Sequence, residues 1–135
     1  MPKARKRQVA EYRLTITPHF NELHQQHTTV FIMETAQAFA SFRYELTVKE
    51  EIEENVLRYK ILGLKTPQLN LPASGHAVFR REYENLSGKY NLIVEGLDGT
   101  TNEFLVRITK KRIQILKAPT HAFVEIVVGN SSSQD

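Results

Sequence analysis

Apolar and polar residues alternate at a period of two in eight or nine short stretches of this chain, and almost none holds a three-to-four spacing for the length of a helix. Successive side chains of a strand point to opposite faces, so this pattern predicts antiparallel sheet with one dry face and one wet face. The clearest case is Phe42, Tyr44, Leu46 and Val48, followed after an acidic turn by Leu57, Tyr59 and Ile61. Ile52, Val56, Tyr59 and Leu62 also have roughly helical spacing, but the β-branched and aromatic content favours strands.

A chain of 135 residues with 41% hydrophobic composition has the size of one domain with one core. The expected organisation is a flexible basic tail over 1–8, a single all-β domain over 9–129 and a disordered tail over 130–135. No cysteine is present, which excludes disulfides, thiolate metal sites and a cysteine nucleophile. Glu11 and Arg13 interrupt the apolar residues that follow the basic start, so no signal-peptide core is formed there. No window approaches the roughly 18 apolar residues of a membrane span. A cytoplasmic location is the expectation, with a piece of a larger exported chain as the alternative.

Tyr12, Leu14 and Ile16 mark a first strand, and Pro18, which cannot donate to a ladder, places it at an edge. Val30, Phe31, Ile32 and Met33 are consecutive, as in a strand covered on both faces or one crossing between layers. A four-residue turn at 51–54 would put Val48 opposite Leu57, Leu46 opposite Tyr59 and Tyr44 opposite Ile61. Residues 63–75, with Pro67, Pro72 and two glycines, read as the longest loop, its Leu64, Leu69 and Leu71 tucked against a sheet end. Ala77, Phe79 and Tyr83 share one face of the next strand. Tyr90, Leu92 and Val94 face inward from the strand after it, with Phe104, Val106 and Ile108 on its partner. Only a three-residue loop, Leu97-Asp98-Gly99 with Gly99 left-handed, sets Leu92 opposite Phe104 and Tyr90 opposite Val106; a two-residue Asp-Gly loop mismatches the faces. Ile113 and Ile115 make a short strand, and Phe123 to Val128 a final one.

The run Gly88-Lys89-Tyr90-Asn91-Leu92-Ile93-Val94 is similar to the Gly-x-Tyr-x-Cys-x-Val strand of immunoglobulin-like sandwiches, with leucine in the cysteine's place. The resemblance implies that Tyr90 sits at a tyrosine corner, its hydroxyl bonded to backbone just upstream. It implies an antiparallel immunoglobulin-like β-sandwich of about 7–9 strands, with a closed β-barrel as the alternative fold. The tryptophan usual in that core is missing, and a further strand follows where such domains end. The architecture carries no chemistry of its own.

His19, His24 and His27, with Glu22, are the densest set of metal-capable side chains, and imidazoles suit zinc, copper or nickel. Their spacing matches no established site, and exposed histidines in a polar connection are the favoured reading; neither a metal nor another cofactor is expected. Glu50, Glu51, Glu53 and Glu54 read as solvated turn residues. Arg80, Arg81, Lys110, Lys111 and Arg112 would join Lys3, Arg5, Lys6 and Arg7 in one patch only if their strands were neighbours, and edge protection is the favoured role. Ser74-Gly75-His76 and Ser87-Gly88 lack the flanking residues of a hydrolase elbow, so no catalytic residue is assigned.

A patterned core without chemistry predicts a non-enzymatic domain that binds a protein partner through a strand edge or an apolar patch within 63–75. The alternatives are a small-molecule-binding barrel, into which Arg81 and His76 would intrude, and weak nucleic-acid binding through the basic residues.

Overall fold

A computed structural model describes residues 10–37, 45–65 and 77–129. Nine strands occur among them: β1 (Tyr12–Asn21), β2 (Gln26–Thr35), β3 (Glu45–Glu53), β4 (Val56–Lys65), β5 (Val78–Glu84), β6 (Gly88–Glu95), β7 (Thr101–Ile108), β8 (Ile113–Lys117) and β9 (Val124–Val128). They form one mixed sheet in the order β8-β7-β6-β4-β3-β5-β2-β1-β9, which curls through 318° and nearly closes into a barrel.

This overturns the immunoglobulin-like sandwich, whose two sheets would share no backbone ladder; a barrel is the nearer description. Parallel pairing of β3 with β5, and of β4 with β6, joins what would have been separate layers. Period-two alternation marks a dry face but is silent on whether that face meets a second sheet or curves onto itself. Tyr90 still keeps its local geometry, accepting the Ser87 N–H on its hydroxyl at 3.1 Å.

Leu14, Ile16, Phe31, Met33, Leu57, Tyr59, Leu92 and Val106 are fully buried, so the barrel's interior is packed with side chains. Each large apolar group so placed contributes about 1.5–3 kcal/mol. In the run from Val30 to Met33, Ile32 is only partly buried; the stretch covered on both faces lies earlier, at Thr28, Thr29, Val30 and Phe31.

The β6–β7 hairpin has the expected register, Leu92 opposite Phe104 and Tyr90 opposite Val106. Gly96 N–H bonds to the Thr100 carbonyl at 2.8 Å, leaving Leu97-Asp98-Gly99 as the loop with Gly99 at φ 87°. The β3–β4 hairpin departs from expectation. Ile52 pairs with Leu57, Glu50 with Tyr59 and Val48 with Ile61, around a turn at Glu54-Asn55 in which Glu54 has φ 52°. From Val48 to Glu53 this register keeps the same side chains on the same face as a turn at 51–54 would, so alternation alone cannot choose between them; a bulge between Thr47 and Val48 then shifts the ladder, and Leu46 pairs with Leu64 and not with Tyr59. Phe42 and Tyr44 lie outside the described residues, as do Leu69, Leu71, Ser74 and His76.

β1 is not a sheet edge, because β9 pairs with it in parallel from Tyr12 to Ile16. Gly129 N–H bonds to the Ile16 carbonyl at 2.9 Å and ends that ladder. Even-numbered residues of β1 point their backbone groups toward β9, and Pro18, having no N–H, cannot continue that ladder past Gly129. Between β7 and β1, β8 pairs with residues 105–108 of β7 and approaches β1. Nearer the start of β7, the Asn102 side chain accepts the Phe123 N–H at 2.8 Å and donates to the His121 carbonyl at 3.3 Å. One place in the wall is thus shared by β8 and β9, with Asn102 closing the gap that the ladder leaves.

Candidate functional site

β3 and β5 are neighbours through a single ladder pair, Glu45 with Val78. Past it the two parallel strands have no backbone bonds to each other, and side chains close the seam. Glu50 reaches across from β3. Phe79, Arg81 and Tyr83 share the inward face of β5, and Tyr59 stands beside Glu50 on β4.

The Tyr83 hydroxyl donates to Glu50 Oε2 at 2.5 Å and lies 2.9 Å from the Tyr59 hydroxyl. Since the one Tyr83 proton goes to the carboxylate, Tyr59 donates to the Tyr83 oxygen. Arg81 Nε pairs with the other Glu50 oxygen. The Arg81 guanidinium also lies 5.1 Å from the centre of the Phe79 ring. Phe31 packs edge-on against both Tyr59 and Tyr83 at 5.9 and 5.3 Å.

Burial above all, then the neighbouring Tyr83, holds the Tyr59 phenol far above the ordinary tyrosine range. Burial and the bond to Glu50 raise Tyr83 as well. Both phenols therefore stay protonated near neutral pH, where they can donate hydrogen bonds but do not serve as bases. Arg81, considered as a group intruding on a barrel pocket, is exposed at the seam and paired with a carboxylate of this chain.

Two grooves open at the barrel's ends. At the loop end, a cleft of about 610 Å³ is lined by Tyr12, Ala36, Leu64 and Leu97 among others. Leu64, expected in the 63–75 loop and tucked in, is instead a residue of β4 and remains half-exposed. At the hairpin end, a groove of about 320 Å³ lies between the start of β2, the β5–β6 turn and the β7–β8 turn. Gln25 and Asn85, both with positive φ, border it. Sequence alternation gave no signal for either groove, because each is assembled from turns distant along the chain.

His19 lies on β1, His24 in the following turn and His27 on β2, where it packs edge-on against Phe20 at 4.9 Å. No group of three His, Asp or Glu side chains able to hold a metal occurs among the described residues. Arg80 pairs with Glu82 and Arg81 with Glu50, while Lys110, Lys111 and Arg112 occupy the β7–β8 turn, which borders the same groove as the β5–β6 turn. Of the aromatics considered for stacking, Phe31 is buried, Tyr83 is half-buried and Phe20 is exposed. No helix among the described residues is long and apolar enough to cross a membrane. The chain matches no protein-family model, no curated protein and no solved structure.

Proposed function

We propose that this chain is a non-enzymatic interaction domain that takes up an extended segment of a partner protein by strand pairing at the β3–β5 seam. One observation carries the reading: beyond Glu45 and Val78, the facing backbone edges of β3 and β5 have no ladder partner among the described residues. Unpaired edges are templates for an added strand, with backbone bonds giving affinity and alternate side chains giving selectivity. The protonated phenols and the paired Glu50 and Arg81 offer no poised acid, base or nucleophile, which also favours binding over catalysis. Binding in the barrel lumen is disfavoured because large side chains fill it.

Amide hydrogen exchange tests the reading. Alternate amides of 46–52, those facing β5, exchange fast in the free protein and become protected when an extended peptide from a panel of alternating sequences is added. Slow exchange at every amide of 46–52 in the free protein would refute it, as would failure of the whole panel to protect them.

A further inference from the structure

We propose that the groove at the hairpin end is a binding site for a small hydroxylated phosphate of sugar-phosphate size. This site is independent of the strand-pairing reading, being built from β2 and two turns rather than from the β3–β5 seam.

Thr29 supplies the central observation. Only 4% of this residue is exposed, and its hydroxyl has no hydrogen-bond partner among the described residues. Every fully occluded side-chain nitrogen or oxygen there does have a partner, so the small accessible part of Thr29 includes its hydroxyl, which faces the groove it lines. A buried hydroxyl open at one point offers one donor and two acceptor positions to a bound molecule. Its neighbours are bonded differently: Thr28 donates to Glu82 at 2.6 Å, and Thr109 exchanges bonds with Arg112.

Charge decides the rest of the ligand. Among the described residues no Asp or Glu lines the groove, Glu84 and Glu82 being held outside it by bonds to Gln26 and Thr28, and Lys110 is the one permanent charge in its lining, which also includes His27. A lysine ammonium is a compact point charge suited to a phosphate. The Asn85 and Ser87 side chains have no hydrogen-bond partners among the described residues and add donors and acceptors for ligand hydroxyls. A volume of about 320 Å³ is at the small end of ligand pockets, which run from about 300 to 1,000 Å³. That size excludes a dinucleotide and suits a single sugar ring with one phosphate.

The probes are ribose 5-phosphate, ribose and inorganic phosphate, titrated into the intact chain while its backbone amide resonances are followed. Ribose 5-phosphate is expected to shift the amides of 26–29, 85–87 and 109–110, and to bind more tightly than either fragment. Lys110→Ala is expected to weaken it about tenfold or more. Thr29→Val, which keeps shape and strand preference and breaks no existing bond, is expected to weaken it about fivefold at unchanged thermal stability; these are ordinary losses for one charged and one neutral hydrogen bond. Equal binding of inorganic phosphate and ribose 5-phosphate would overturn the hydroxyl assignment. Unchanged affinity in both variants, shifts confined to other residues, or no shift at millimolar probe would overturn the site.

Discussion

Replacing Tyr83 by phenylalanine and then also replacing Tyr59 tests the seam most directly, because the second substitution is expected to repair part of the damage done by the first. Among the described residues Tyr83 is the only hydrogen-bond partner of the Tyr59 hydroxyl, and Tyr59 is fully buried. Tyr83→Phe leaves that hydroxyl without a partner, which costs about 1–3 kcal/mol. Glu50 loses a donor but keeps Arg81 and some contact with water, which adds less than about 1 kcal/mol. Together these give about 2 kcal/mol of destabilisation. Tyr59→Phe alone removes one neutral bond while Tyr83 still donates to Glu50, at about 1 kcal/mol. In the double variant nothing polar is stranded in the interior, so its stability is expected about 1 kcal/mol above that of Tyr83→Phe. Urea unfolding followed by circular dichroism resolves this as a midpoint difference of roughly 0.3–1 M between the Tyr83→Phe and double variants. A double variant as unstable as the sum of its parents would refute the shared hydrogen bond.

Asn102→Ala is expected to lower stability by about 2 kcal/mol, because it leaves the Phe123 N–H and the His121 carbonyl unpartnered where β7 meets β9; urea unfolding measures the loss, and faster amide exchange at 123–128 localises it. Gly99→Ala is expected to cost about 1 kcal/mol from backbone strain at φ 87° alone, since nothing crowds that position; a variant of wild-type stability would contradict the left-handed loop. Alkali is expected to unfold the protein. Tyr59 and Tyr83 have folded pKa values raised above the unfolded value of about 10, so above that pH the unfolded chain loses protons the folded chain retains, and each group lowers stability by up to about 1.4 kcal/mol per pH unit. Phenolate absorbance of these two residues should rise only together with unfolding, and a reversible rise in the folded protein near pH 10 would contradict their burial.

The residues that face inward were legible because alternation records them directly: Leu14, Ile16, Leu57, Tyr59, Leu92, Phe104 and Val106 are all buried. The β6–β7 register was legible too, because its short loop lets only one turn geometry match the faces. What alternation cannot carry is a shift that preserves parity, and there the β3–β4 turn moved to Glu54-Asn55. That shift put Glu50 into an extended strand beside Tyr59 rather than in a solvated turn, and so hid the seam network. The parallel pairs were hidden for a different reason. β9 joins β1 across most of the chain's length, and nothing local to either strand announces it.

Backbone pairing is uneven around the wall. A hairpin ladder is registered by its own turn, so β1–β2, β3–β4 and β6–β7 pair along nearly their full lengths. Pairs without a connecting turn vary: β4–β6 and β1–β9 keep five pairs each, whereas β3 and β5 keep one before side chains take over. The charged and phenolic groups of Glu50, Arg81, Tyr83 and Tyr59 therefore do work that backbone bonds do elsewhere in the wall. Side-chain bonds are individually replaceable, whereas a cooperative ladder is not. On the proposed reading, a segment that offers its own backbone to β3 and β5 would compete only against that small set of contacts, which a ladder of full length would not allow.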